Sequence, residues 1–431
     1  MQQQRLVLAA AVLLGQSEKT GPNREVRDFS WDEHVRYLYD AEFKLRYRVS
    51  WDSFNTLLRI LEPGLRVANE AQAMKSRSGK AIELSTRLAV ALRYFAGGCP
   101  LDLICIYKIS KTQVFRCIWL VVDAVNTYLK NMHFPIDDAD ALAELELGFR
   151  AATRGDFWRG QVGAIDGVHF KMRAPTNKDV DNPMRYYVSR KDTFALLAVA
   201  ICDVNRRFLW ADISHTSTTH DSTAWTATEL GQTIAQGGLP EPYFINGDAA
   251  FTLGPSMITP SNNDKELDDF DFYQSSNRMA IECAFGILVR RWGVLWRALG
   301  QRFDRRAPLV IALMRLHNFI IDERLKTHLP EQPHDMPDVQ LARAQVVPGR
   351  FQRTPAFDKD GRPLVHLDTC RATDEGAPTR AAREGTPVAR ARRDELARAV
   401  KDSGYTRPPV DKNAVVRKRK RPKGRAPRLA Q

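Results

Sequence analysis

Apolar side chains between residues 41 and 150 recur at helical intervals. Trp51, Phe54, Leu57, Leu58 and Leu61 follow Ser50 at i, i+3, i+4 spacing, and Ser50 is a ready N-cap. Leu84, Leu88, Ala91, Leu92 and Phe95 repeat the stripe until Gly97-Gly98 stops it. Residues 101–107 then predict a short helix, residues 108–110 a tight turn, and residues 111–128 a longer helix capped by Ser110. Lys111, Thr112, Gln113 and Arg116 lead that second helix with polar side chains. On spacing alone the pair is either a helix-turn-helix or an ordinary bundle corner.

Between about 160 and 325 the period changes. Residues 161–171 (QVGAIDGVHFK) read as a short apolar strand interrupted by Asp166. Residues 194–202 (FALLAVAIC) form a continuous apolar run, as a buried central strand requires. A turn at 203–206 and a returning strand at 208–213 predict a hairpin. A helix over about 221–235 follows, capped within 218–221. A short strand at 243–246 ends in Gly247-Asp248, and a long helix at 275–296 carries Ile281, Phe285, Leu288 and Trp292 as its core stripe. That order describes a mixed sheet flanked by helices.

The chain carries 64 Lys and Arg against 51 Asp and Glu. Of these, 24 basic and 13 acidic residues lie after residue 325, so the body is nearly neutral and the basic character sits in the tail. Residues 326–431 also hold 12 of the 23 prolines but only 3 of the 39 aromatics, a composition that predicts a mostly disordered tail. The tail ends in a basic cluster at 417–428, which reads as nuclear import or sequence-independent phosphate contact. The six cysteines form no C-x-x-C pair, so neither a disulfide scaffold nor a zinc site is indicated. No apolar run is long enough to span a membrane. The stretch 6–14 (LVLAAAVLL) lacks a persuasive cleavage site behind it and reads as a packing helix within a leader of residues 1–40.

Phosphate-cradling glycine loops, H-E-x-x-H and G-x-S-x-G are all missing from the sequence. What remains is carboxylates at the ends of apolar segments: Asp166 within a strand, Asp248 terminating another, and Glu282 beside the core stripe of the long helix. In the expected sheet the two strands are neighbours, and a helix across them brings Glu282 to the same edge. Three such carboxylates repel unless cations sit between them. Oxygen-only ligation suits Mg²⁺ or Mn²⁺, and two such ions about 3.5–4 Å apart clamp a scissile phosphate. Each residue has a plainer reading: an Asp-Gly turn, a loop end, a solvated helix position.

From about Arg48 to Leu325 the chain resembles the PIF/Harbinger family of DDE transposases and their domesticated endonuclease relatives. The motifs are AIDGVHF (164–170), YYVSRK (186–191), AICDVNRRF (200–208), THDS (219–222), INGDAAF (245–251), RMAIECAFGILVRRW (278–292) and LHNF (316–319), in family order. VSWDSFNTLL, RLAVALRYFAGG and ISKTQV resemble that family's helix-turn-helix region. The resemblance implies an RNase H-like catalytic fold in residues 160–325, behind an all-α helix-turn-helix domain in 41–150. It also maps a metal-ligating triad onto Asp166, Asp248 and Glu282. Three departures are visible: residues 215–219 replace the usual Pro-Gly-Ser lead, Phe251 stands where tyrosine is usual, and Cys283 follows Glu282 in place of arginine.

Asp221 reads first as a helix cap, with a fourth acidic ligand as the alternative. Arg190, Lys191, Arg290 and Arg291 are candidate phosphate contacts beside Lys111, Thr112, Gln113 and Arg116. Residues 266–271 read as a solvated acidic insertion, and His317 as a packed helix residue. The resulting expectation is a nuclear DNA endonuclease or transposase in which Asp166, Asp248 and Glu282 hold two divalent ions, Mg²⁺ or Mn²⁺. Its partners would be DNA, a Myb/SANT-like DNA-binding protein and the nuclear import machinery, with no membrane; a homo-oligomer is compatible with it. The rival is a transposase-derived DNA-binding scaffold without nuclease activity.

Overall fold

In the computed structural model the described residues are 29–66, 81–153, 156–261, 264–326, 346–347, 350–351 and 385–407. The chain divides into two compact units, Met1–Tyr94 with Gly98–Ala124, and Phe95–Gly97 with Val125–Gln431. Among the described residues no helix is long and apolar enough to cross a membrane. The apolar run 6–14 and the basic cluster 417–428 lie outside the described residues.

The first unit is helical. It comprises α1 (Trp31–Arg36), α2 (Asp40–Tyr47), α3 (Trp51–Leu65), α4 (Leu84–Phe95), α5 (Pro100–Tyr107) and α6 (Lys111–Tyr128), with the C-terminal ends of α4 and α6 belonging to the second unit. Ser50 caps α3 by accepting from the Ser53 amide at 3.1 Å, and Phe54, Leu57, Leu61 and Leu65 are fully buried along one stripe. Trp31 stacks on Phe54 with ring centroids 5.1 Å apart and meets Phe43 and Tyr47 edge-on. The leader expected to run to residue 40 therefore joins the helical unit from about residue 29. Lys108 ends α5 in the left-handed region, and Ser110 accepts from the Gln113 amide to start α6. The two helices and their short turn stand where the sequence put them.

The second unit is a mixed sheet with helices on both faces. Helix α7 (Ala139–Ala152) leads into β1 (Gln161–Met172), followed by β2 (Tyr187–Val188), β3 (Thr193–Cys202) and β4 (Phe208–Asp212). Helices α8 (Asp221–Thr226) and α9 (Glu229–Ala235) precede β5 (Phe244–Asn246) and β6 (Met257–Ile258). The strand order is β2-β3-β1-β5-β6, with β4 also paired to β3. β1 runs antiparallel to β3, opposing Asp166 to Ala200, and parallel to β5, opposing Ala164 to Asn246. The 203–207 turn closes the expected β3–β4 hairpin.

Alternation along the strands assigns the faces. Ile165, Leu197, Val199 and Ile201 form one core with Ala224 and Trp225 of α8 and Ile234 of α9. Asp166 therefore points to the opposite face, which α10 (Asp268–Arg291) and α11 (Phe303–Lys326) cover. Helix α10 begins seven residues before the expected start, so residues 268–271 of the acidic stretch are its first turn, behind a 3-10 turn at Lys265–Leu267, and are no inserted loop. Carboxylates at 268, 269 and 271 suit a helix N-terminus, Asp271 accepts from the Ser261 amide and hydroxyl, and Phe270 is buried.

The tail needs a correction over one stretch. Residues 387–402 form helix α12 (Pro387–Asp402), capped by Thr386. It buries Ala389, Leu396 and Val400 against Trp158, Phe244, Leu253, Ile258 and Phe270. Composition averaged over a hundred residues hid a narrow apolar stripe of helical period set among arginines. A two-residue ribbon, β7 (Val346–Val347) with β8 (Arg350–Phe351), completes the described elements.

Candidate active site

Asp166 lies midway along the central strand β1 and is only 1% exposed. Its Oδ1 accepts from the Gly167 amide at 2.8 Å, and its Oδ2 accepts from Nη1 of Arg278 at 3.3 Å. Glu282, one turn beyond Arg278 on α10, accepts from Nη2 of the same guanidinium at 2.7 Å. A single arginine thus bridges two of the three carboxylates that the sequence singled out.

Asp248 follows the end of β5, and a buried amide network fixes that end. The Asn246 side chain donates to the Gln274 carbonyl at 2.9 Å. Gln274 Nε2 donates in return to Asn246 Oδ1 at 2.7 Å and to the Gly247 carbonyl at 2.6 Å. Asp248 then turns the chain by accepting from the Ala250 amide at 2.8 Å. Gln274, Arg278 and Glu282 are successive i+4 positions, so one stripe of α10 both anchors β5 and faces Asp166.

The electrostatics show the convergence. Burial pushes the Asp166 carboxyl well above the usual carboxylate range; the Asp248 charge adds to this, Arg278 opposes it, and Glu282 adds again. Asp221 is pushed the same way by burial and then by Asp166 and Asp248, with Lys191 and Arg190 pulling against them. Four carboxyl groups therefore share one field, and the Arg190-Lys191 pair flanks it.

Asp221 does not take the capping role that the sequence favoured for it. His220 caps α8 through Nδ1, which accepts from the Ser222 amide at 3.3 Å. Both Asp221 oxygens are buried with no hydrogen-bond partner among the described residues. A Cβ added at Gly167 would stand 2.5 Å from the Asp221 Cγ, so the glycine beside Asp166 makes room for this carboxyl beneath β1.

Among the described residues, no three His, Cys, Asp or Glu side chains are already drawn together as an ion cage. The donor set nevertheless fits a divalent cation. It is all carboxylate, its members destabilise one another, and a guanidinium supplies the positive charge between two of them. Asp166, Glu282 and Asp248 are the side chains that could hold such an ion.

The candidate DNA contacts divide. Lys111, Thr112 and Arg116 are exposed on the first turns of α6, and Gln113 is half-buried. Arg190 is exposed and Lys191 half-buried beside the acidic site. Arg290 is half-buried, but Arg291 is no phosphate contact: it is 5% exposed and its guanidinium meets Nδ1 and the carbonyl of His317. The last turn of α10 faces α11 there, so the paired arginines point apart. His317 is a packed helix residue as expected, with Nε2 against the Arg206 carbonyl at 2.8 Å. Of the departures, Phe251 is simply core, and Cys283 is half-buried with Arg206 beside its thiol.

Sequence reasoning missed Arg278, Gln274 and Asn246. Two signals were available: the i+4 steps leading to Glu282, and an amide two residues before Asp248.

Residues 165–318 match the family model described as DDE superfamily endonuclease. The chain is 23% identical over 291 residues to the Rattus norvegicus protein named "Putative nuclease HARBI1", covering 64% of this chain and 80% of the relative. It is 22% identical over 262 residues to the Xenopus laevis protein of the same name, covering 57% and 70%. No solved structure matches the chain.

Proposed function

Because residues 165–318 carry a DDE superfamily endonuclease domain homologous to HARBI1, we propose that the chain is a metal-dependent DNA endonuclease of the PIF/Harbinger type. One observation carries the reading. Asp166 on β1, Asp248 after the parallel neighbour β5, and Glu282 on the helix crossing them lie close enough for both other charges to raise the Asp166 carboxyl. A hydrophobic core has no use for that convergence, which is costly unless something cationic repays it.

In this reading Asp166, Asp248 and Glu282 hold divalent ions, Mg²⁺ or Mn²⁺ and two in number. Their chemistry is to activate the attacking oxygen and take up charge on the leaving oxygen of a phosphodiester. The chain's own residues do the rest. The Asn246–Gln274 network keeps Asp248 in register with α10. Arg190 and Lys191, beside Asp221, supply positive charge for the DNA backbone next to the acids. Lys111, Thr112, Gln113 and Arg116 on α6 offer a second DNA-facing row, as a helix-turn-helix would. A nearly neutral body suits affinity borrowed from a Myb/SANT-like partner, and the basic cluster at 417–428 suits nuclear import. Full transposition would add transfer of the freed 3′-hydroxyl to target DNA, on an RNase H-like scaffold.

The experiment is nicking of supercoiled DNA by the full chain with Mg²⁺ or Mn²⁺. Asp166→Asn, Asp248→Asn and Glu282→Gln should each remove activity while the far-UV spectrum stays native. Robust cleavage by any of the three refutes the role of that residue. A second reading, DNA binding without cleavage, draws on the Arg278 bridge, which fills the space between Asp166 and Glu282. Salt-sensitive, metal-independent binding with no product would favour it.

A further inference from the structure

Arg278 lies inside the acidic site and bridges two of its carboxylates. Its side chain is 11% exposed, and it forms ion pairs with Asp166 at 3.3 Å and Glu282 at 2.7 Å. Asp166 is 1% exposed on the same pair, so the contact is shielded from water on one side. Glu282 retains 28% exposure, so the Glu282 side of the bridge is the one nearer solvent. The same helix stripe is pinned one turn earlier by Gln274, so the Arg278 backbone is held and any exchange of partners at the site falls on its long side chain.

A planar guanidinium between two carboxylates keeps their oxygens on opposite sides of its own width. A divalent ion held by Asp166 and Glu282 would need the oxygens that Nη1 and Nη2 of Arg278 now occupy. Released from the carboxylates, an arginine at this edge has five donors in a fork that matches a phosphodiester.

We propose that Arg278 is the resident counter-cation of the site and couples metal loading to DNA backbone binding. In the free protein it neutralises Asp166 and Glu282 and stops them from repelling. Were Asp166 and Glu282 to hold a divalent ion, the Arg278 guanidinium would leave them and take a phosphate of the substrate. Metal and DNA then strengthen each other's binding, because each completes the exchange that the other begins. The inference rests on the proposed metal-dependent reading of Asp166 and Glu282, and its test separates the two.

The test is Mn²⁺ binding to the full chain, followed by electron paramagnetic resonance of the free ion, in wild type, Arg278→Met, Arg278→Lys and Asp166→Asn. Wild type should bind Mn²⁺, and Asp166→Asn should lose that binding. Arg278→Met should bind about tenfold more tightly than wild type, since two charge-assisted bonds no longer have to break. Arg278→Lys, which can bridge with only a point charge, should fall between them and serves if the Met variant does not fold. Fluorescence anisotropy of a labelled duplex at 4 °C supplies the second readout. Mn²⁺ should tighten duplex binding by wild type and have little effect on Arg278→Met. Unchanged or weaker Mn²⁺ binding by both Arg278 variants overturns this proposal alone. Wild-type binding that does not depend on Asp166 overturns the metal-site reading beneath it.

Discussion

Replacing Gln274 by methionine tests whether the buried amide network carries the position of Asp248. The substitution keeps chain length and approximate volume but removes the Nε2 donor. Two buried acceptors lose their bonds, Asn246 Oδ1 at 2.7 Å and the Gly247 carbonyl at 2.6 Å. Gln274 is 1% exposed and Asn246 fully buried, so water cannot take the donor's place without rearrangement. An orphaned buried acceptor costs about 1–3 kcal/mol, and partial relaxation brings the expected loss to about 2–4 kcal/mol. Gln274→Glu should cost more, because it sets carboxylate oxygens against those same two acceptors. Urea unfolding of the full chain, followed by circular dichroism, reads this as a lower midpoint with the slope unchanged. Nicking should fall at least about tenfold even where the protein remains folded, since a small misplacement of a reacting group is expensive. A methionine variant within about 0.5 kcal/mol of wild type, or a glutamate variant as stable as wild type, would refute the argument.

Two further outcomes follow from the packing. His169 is half-buried with Nε2 against the Ser217 carbonyl, and desolvation of its ring with nearby Lys191 lowers its pKa to about 4. The unfolded chain takes up the proton near 6.5 and the folded chain resists until about 4. Stability is therefore fully present above 6.5 and falls by up to about 3 kcal/mol as pH drops through that window. His169→Gln should flatten this limb in denaturation midpoints measured from pH 7 to 4, and an unaltered limb would remove the assignment. For α12, Leu396→Asp buries an unpaired charge in the contact with Trp158 and Phe244 and should release the helix, at a cost of about 2–5 kcal/mol. Limited trypsin digestion should then cut within 387–402 well before the core, and equal resistance in wild type and variant would show that the docking contributes little.

The sequence by itself determined the elements and much of the candidate chemistry. A run of uninterrupted apolar residues made β3 central, and Asp-Val-Asn-Arg after it made the hairpin with β4. Asp166 was conspicuous because a charge inside an apolar strand has no packing purpose. The expected adjacency of the strand bearing Asp166 and the strand ending before Asp248 is the parallel pairing of β1 with β5. The capped stripe of α3 and the short turn before α6 were equally legible, because caps and periodicity act over a few residues.

Tertiary structure decided what depends on side chains far apart in the chain. Arg278 is one of 64 basic residues, and only the packing of α10 over β1 turns it towards Asp166. The same packing turns Arg291 inward to His317, although it looks identical to Arg290 in sequence. Asp221 lost its expected cap to His220 because the space under Gly167 drew its carboxyl beneath the sheet. Helix α12 exists as a docked element because Trp158, Phe244 and Phe270 leave an apolar surface that its narrow stripe can cover. Local rules fix what a segment can be; long-range burial and charge fix which of its side chains has work to do.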